Sequence, residues 1–461
     1  MSTKRQKIQL ELALVTRTPG EAEDRESRGV EAPMAARPPE RPAMSDQLME
    51  EVLERENLRR ALKRVQANKG APGVDGMTVD ELPDFLREHW LTIKAQLLNE
   101  TYKPQPVRRV EIPKPNGGTR NLGVPTVVDR WLQQAVLQVL QQQWDPTFSE
   151  YSYGFRPGRS AHQAIAQAQR YVREGYTVVV DLDLEKFYDL IVHDRLMARV
   201  AERVTDKRVL KLIRAFLKAG VLLENGLVSP TEMGTPQGGP LSPLLSNLIL
   251  DELDRELERR GHRFCRYADD VNVYVRSERA GQRVMESISS FITRRLTLRV
   301  NSAKSKVATA SECEFLGFTF TWGPARKRTI GPEAVRRFKE RVRELTRRTR
   351  GTSIQRVVAE LSRYVRGWLA YFGFSETVRP LEDLDSWIRR RLRCLIWKQW
   401  KTFRKRRAGL MERGIEEAPA SQTAARSRGC WSTSNVPPLR RAFPIAYFDS
   451  LGLPRLLGRR A

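Results

Sequence analysis

The sequence is poor in cysteine and histidine, with four of each among 461 residues. Cys265, Cys313, Cys394 and Cys430 lie far apart and form no Cys-x-x-Cys pair. That argues against a zinc ribbon and against a disulfide framework, and makes a reducing cytoplasm the default. The histidines form no ligand cluster either. No uninterrupted apolar run approaches the roughly 18 residues of a membrane span. Gln9 and Glu11 interrupt the only apolar stretch near the N-terminus, which makes it a poor secretory signal. Acids are outnumbered as well: 81 Lys and Arg face 55 Asp and Glu, a net charge of +26. An excess of that size speaks to partners rather than fold. A polyanion is the natural candidate, and nucleic acid comes before a membrane because no lipid-anchor motif is present.

What is present suits a folded chain. A hydrophobic content of 40% supports real cores. At roughly 100–200 residues per domain, the length suits several domains. Residues 1–45 lack sustained apolar periodicity and include a Pro-rich stretch, so a flexible leader is expected there. Order is expected from Ser45, an N-cap residue type. Leu48, Val52, Leu58, Leu62 and Val65 then fit one side of a helix. From 107 to 330 strands and helices interleave: alternation at 107–112 and 177–184, helical composition at 133–143 and 244–257, a hairpin at 263–275 and a strand at 315–321. This implies an α/β or α+β catalytic domain. After about 332 helical stripes take over, predicting a three-helix module near 333–410. A tail rich in Pro, Ser and Arg follows from about 411.

The chemistry concentrates in a few acids. Tyr267-Ala268-Asp269-Asp270 sits between apolar residues as a hairpin tip. Adjacent carboxylates repel unless something neutralises them. A divalent cation does so, and hard carboxylate oxygens suit Mg²⁺. An exposed Asp-Asp turn is the plain alternative. The pair does not stand alone, however. Val178-Val179-Val180-Asp181-Leu182-Asp183 delivers Asp181 and Asp183 to one face of a strand. A carboxylate from a separate strand is what a two-metal site needs. The residues themselves leave Asp181 and Asp183 as rivals.

Tyr-Ala-Asp-Asp, preceded by Asp183-Leu184-Glu185-Lys186-Phe187-Tyr188-Asp189, resembles the palm of reverse transcriptases. Specifically, it is similar to the group II intron-encoded reverse transcriptase/maturase family. The resemblance covers roughly 46–461, with its blocks in the family's order. It implies an α+β right-hand polymerase, with fingers and palm over 46–332. An all-α thumb/maturase module over 333–410 and a basic C-terminal tail over 411–461 follow.

The resemblance makes Asp183, Asp269 and Asp270 the catalytic carboxylates. It favours Asp183 over Asp181 because the spacing to the aromatic pair and Asp189 fits only from there. Together with the Leu184 carbonyl they would hold two Mg²⁺ ions, with Mn²⁺ as a substitute. Tyr188 would stack under the incoming sugar and exclude a ribose 2′-OH. The family usually carries phenylalanine there; tyrosine keeps the ring.

Further blocks extend the resemblance. Ile112-Pro113-Lys114-Pro115-Asn116-Gly117-Gly118-Thr119-Arg120 is similar to the fingertip hairpin, where Lys114 and Arg120 would reach the triphosphate. Asn121 replaces the family's usual proline. Met233-Gly234-Thr235-Pro236-Gln237-Gly238-Gly239 resembles the dNTP and template platform, through Gln237 and Gly238. Tyr153-Gly154-Phe155-Arg156-Pro157-Gly158-Arg159 resembles a template block, with Arg156 and Arg159 as contacts. Lys304 stands where a lysine protonates the leaving pyrophosphate, and Lys306 competes for that role. Arg404, Lys405, Arg406 and Arg407 end a basic run that Trp397 and Trp400 interrupt. Cations interleaved with aromatics suit RNA.

The resemblance implies an RNA-directed DNA polymerase of a group II intron that also binds its intron RNA as a maturase. Its partners would be that RNA, an RNA template with DNA or RNA primer, dNTPs and target DNA, with no membrane. Its setting would be a bacterial cytoplasm, as a ribonucleoprotein near the nucleoid. The His-Asn-His endonuclease that many members carry is not expected from these residues. A splicing-only RNA-binding maturase, or a domesticated reverse transcriptase in defence or repair, are the competing readings.

Overall fold

The computed structural model describes residues 47–113, 119–223, 228–229, 233–235, 237–349 and 351–457. The expected leader, Ser45, Lys114 and the glycine turn at 116–118 lie outside these residues. The chain divides into two compact units, one over 47–171 with 176–308 and the other over 172–175 with 309–457.

The first unit opens on two helices, Leu48–Leu53 and Arg55–Ala67. The apolar stripe predicted one helix. The break falls at Glu54, whose backbone is extended. Tertiary bonding accounts for it: the Asn57 side chain donates to the Val52 carbonyl at 2.9 Å and to the Ala135 carbonyl at 3.1 Å. Val127–Trp144 is the central helix, buried all round over its first ten residues. Thr126 caps it, accepting from the Asp129 N–H at 3.1 Å.

Two sheets flank this helical core. β1 (Val107–Pro113) pairs antiparallel with β2 (Thr119–Val124). β1 also pairs parallel with β4 (Val221–Leu222), which pairs with β5 (Val228–Ser229). The second sheet runs β6-β7-β3-β8, from β3 (Val178–Leu182), β6 (Arg263–Tyr267), β7 (Asp270–Val275) and β8 (Lys306–Thr309). The β-branched run at 178–180 suits the buried centre of a sheet. Helix Ser242–Arg259 starts with a proline in its first turn and lays Leu245, Ile249 and Leu253 into the same core.

The second unit contains a short hairpin, β9 (Phe318–Phe320) with β10 (Arg328–Ile330), and then helices. The three expected helices are present as Pro332–Leu345, Ile354–Phe372 and Arg379–Gln399. The expected tail, in contrast, is folded. After a fourth helix, Phe403–Met411, at the end of the expected module, Glu417–Ala424, Cys430–Thr433, Pro437–Ala442 and Ile445–Ser450 are helices. Leu439, Phe443 and Phe448 are fully buried in the same core as Phe338, Val358 and Leu392. Short helices punctuated by proline carry too few turns for a periodic stripe, so only their packing reveals them.

Candidate active site

The site begins with strand register. Leu182 of β3 lies opposite Val271 of β7, and Asp181 opposite Asn272. Asp183 follows β3 directly and Asp270 opens β7, so both lie at the same end of the paired strands. Tyr267 pairs with Asp270, so Ala268 and Asp269 alone make the β6–β7 turn. Asp269 is half-buried and Asp270 exposed.

That turn is strained and braced. Ala268 has φ +57°, the left-handed region, which costs a non-glycine residue roughly 1–2 kcal/mol. Arg266, fully buried, donates through Nη1 to the Ala268 carbonyl at 3.0 Å and to Asn247 Oδ1 at 2.9 Å. Its Nε and Nη2 hold Asp254 at 2.7 and 2.5 Å. Asn247 in turn donates to the Gly154 carbonyl at 2.9 Å. Residue 154 must be glycine: a Cβ there would stand 2.2 Å from the Ala268 nitrogen. The sequence reading missed Arg266, Asp254 and Asn247. The available signal was an arginine following the apolar pair Phe264-Cys265 in a short strand.

The segment after β8's neighbour β3 is clamped through its backbone. Asn301 N–H donates to the Asp183 carbonyl at 2.8 Å, and Glu185 N–H to the Arg299 carbonyl at 2.8 Å. These bonds flank the Leu184–Val300 bridge and leave the Leu184 carbonyl outside that ladder. Ser305 Oγ accepts from the Asp183 N–H at 3.0 Å. Lys304 Nζ lies 3.7 Å from Asp183 Oδ2, both side chains being substantially exposed. Asp181 is different. Burial pushes its carboxyl up to about 6, against the pull of Lys306. With its amide turned to donate, Asn272 reaches Asp181 Oδ1 at 3.0 Å. A carboxyl held inside the sheet and reluctant to ionise is the poorer cation ligand.

The expected nucleotide residues meet through a glycine-rich run. Lys186 takes φ +45° and leads into the short helix Phe187–Leu190. Phe187 is buried, and Tyr188 packs edge-on against it at 5.3 Å. Thr235 N–H donates to the Tyr188 carbonyl at 2.8 Å, and Gly234 N–H to the Ile191 carbonyl at 2.7 Å. Gly234 has φ +90°. On the other side, Gly123 N–H of β2 donates to the Gln237 carbonyl at 3.0 Å. A Cβ on Gly238 would stand 2.6 Å from the Gly123 carbonyl. The run thus ties β2 to the Tyr188 turn. Arg120 lies on β2 opposite Ile112.

Several expected nucleic-acid contacts turn inward. Arg156 is 6% exposed. Its five N–H donors go to Asp145 Oδ1, Oδ2 and carbonyl oxygen and to the carbonyls of Ser149 and Ser152. It is an internal brace with no donor left for a template. Arg159 is half-buried, lying 5.8 Å over the Tyr153 ring. Arg406 donates to the Trp400 carbonyl at 2.8 Å and lies over the Trp397 ring, and Arg407 pairs with Glu417. Trp397 is 1% exposed and is core rather than a stacking platform. Arg404 and Lys405 are exposed.

Among the described residues no three His, Cys, Asp or Glu side chains come together as a group that could hold a metal ion, and no helix is long and apolar enough to cross a membrane. The acids at the β3–β7 end offer oxygen ligands only, the donor set that Mg²⁺ takes.

Comparison with known proteins follows the same two-part division. The family model for reverse transcriptase (RNA-dependent DNA polymerase) matches residues 112–320, and that for the group II intron maturase-specific domain matches 335–414. Protein YkfC of Escherichia coli is 33% identical over 313 residues, 59% of this chain and 81% of that protein. The group II intron-encoded protein LtrA of Lactococcus lactis is 40% identical over 196 residues, 42% of this chain but 32% of LtrA. Nuclear intron maturase 4 of Arabidopsis thaliana is 34% identical over 142 residues, 30% of this chain and 17% of that protein.

Proposed function

Because the chain belongs to the group II intron reverse transcriptase/maturase family, an RNA-directed DNA polymerase family with a right-hand fold, we propose that it copies RNA by nucleotidyl transfer onto a primer 3′-OH and binds its intron RNA as a maturase. In this reading 46–332 are fingers and palm, and 333–410 the thumb/maturase module. The observation that carries it is the placing of Asp183, directly after β3, and Asp270, the first residue of β7, at the same end of two paired strands, with Asp269 in the braced β6–β7 turn.

Asp183, Asp269 and Asp270, with the Leu184 carbonyl, would hold Mg²⁺. When bound, the metal supplies activation of a hydroxyl nucleophile and charge stabilisation of the leaving oxygen. The chain's own residues position and select. Tyr188 sits under the sugar of the incoming dNTP and discriminates against a 2′-OH. Gln237 and Gly238 present backbone at the nucleotide, while Arg120 and Lys114 take the triphosphate. Lys304 Nζ holds a proton beside Asp183, available to the leaving pyrophosphate. Template, primer, intron RNA and target DNA are the proposed partners, in a cytoplasmic ribonucleoprotein.

Primer extension on an RNA template with dNTPs and Mg²⁺ tests the reading. Wild type makes cDNA, and Asp269→Ala loses more than the roughly 100-fold typical of changes outside a metal's own ligands. Wild-type protein that makes no more cDNA than Asp269→Ala would sink it.

A further inference from the structure

The helical unit carries a cavity of about 250 Å³ whose lining includes three arginines, Arg343, Arg348 and Arg391, and two tryptophans, Trp387 and Trp431. Arg343 comes from helix Pro332–Leu345, Arg391 from Arg379–Gln399 and Trp431 from Cys430–Thr433. Three converging guanidinium groups repel one another, and burial together with Arg343 and Arg348 disfavours the charge on Arg391. Yet among the described residues no carboxylate forms an ion pair with any of the three. Other arginines of the unit differ: Arg389 pairs with Asp385 and Asp449, Arg407 with Glu417, and Arg455 with Asp449.

Neutral groups hold the cluster in place instead. Arg391 Nε donates to Thr346 Oγ1 at 2.7 Å. Arg391 and Arg343 lie 5.4 and 5.7 Å from the centre of the Trp387 ring. Trp431 is steadied from behind by Arg390, 4.0 Å from its ring centre and bonded to its carbonyl at 3.1 Å. Its indole nevertheless remains 38% exposed. Converging arginines without a counter-charge, one of them partly buried, are set up for an anion, and their planar forks match phosphate oxygens. An exposed indole beside them offers a base a stacking surface. The cavity is far too small for a duplex.

The geometry points to a site for a single phosphorylated nucleotide, its phosphate held by Arg343, Arg348 and Arg391 and its base stacked on Trp431. The nucleotide is either free or one residue of an RNA strand. Only the second source rests on the RNA-binding reading above.

Calorimetric titration of the full-length protein, with divalent metal chelated, tests this with GMP, guanosine, inorganic phosphate and a single-stranded 12-mer RNA as probes. GMP should bind about tenfold or more tightly than phosphate or guanosine. The double variant Arg343→Gln/Arg348→Gln, at two exposed positions, should weaken GMP about tenfold or more. Trp431→Leu should weaken GMP and leave phosphate unchanged. Competition between the 12-mer and GMP assigns the site to an RNA strand; absence of competition assigns it to a free nucleotide. Phosphate binding as tightly as GMP, or GMP binding that neither variant weakens, overturns the proposal. Primer extension on the same preparations separates the two readings: protein that binds GMP through these residues but makes no cDNA keeps the pocket and loses the polymerase.

Discussion

Arginine does two kinds of work, and a cluster in the helical unit contrasts with the braces of the polymerase unit. In the polymerase unit, Arg266 is fully buried and spent on Asp254, Asn247 and the Ala268 carbonyl. Arg156 is likewise committed to Asp145 and nearby carbonyls. In the helical unit, Arg343, Arg348 and Arg391 share a cavity with tryptophans and no acid, while Arg404 and Lys405 face out. Positive charge therefore does not by itself mark a nucleic-acid contact. What decides is whether a carboxylate or carbonyl of the chain reaches the guanidinium first. Where it does, the arginine fixes geometry. Where it does not, the arginine is open to an external anion.

The sharpest way to break this contrast is to remove an acid from the catalytic end. Asp269→Ala is expected to cut primer extension by more than about 100-fold and leave RNA binding intact. A parallel fall in RNA affinity would mean the two functions share residues.

Next in size is the brace. Arg266→Met strands Asp254 in the core and should cost roughly 3–5 kcal/mol of stability, read by denaturant unfolding. The double change Arg266→Met/Asp254→Leu should restore most of that stability. Primer extension should stay depressed, because Ala268 has still lost its donor. Full recovery of activity would mean that Arg266 serves stability alone.

Arg156→Gln removes several buried bonds and should destabilise by roughly 1–3 kcal/mol. The salt dependence of template binding should be unchanged. A log–log slope reduced by about 0.7 would restore Arg156 as a phosphate contact. The smallest effect belongs to the outward cations. Arg404→Gln/Lys405→Gln should lower that slope for intron RNA by about 1.4, at about 0.7 per phosphate on single strands. Arg406→Gln should leave it unaltered, since Arg406 is bonded to Trp400.

Much of the site was legible because strand chemistry is local. The alternation around Val180 and the apolar flanks of Asp269-Asp270 identify two strands and place Asp183 and Asp269 at their ends. The resemblance separates Asp183 from Asp181, and in the structure burial raises the Asp181 carboxyl. Other readings failed for want of long-range information. Nothing near Arg156 in sequence reveals that Asp145 lies within 2.8 Å of it. The basic run containing Trp397 suggested a surface, yet Trp397 belongs to the core because residues beyond 411 fold over it.

The sequence by itself determined the family, the candidate acids and the order of the blocks, because these depend on residue type and short spacing. Only the tertiary structure decided which arginines are braces and which stand open. It also decided that Ala268 is held in a left-handed turn and that four short helices between Glu417 and Ser450 pack onto the helical core. Those outcomes depend in good part on partners distant in sequence, such as Asn247 for Arg266 and Gly154 for Asn247, brought close by burial of the cores.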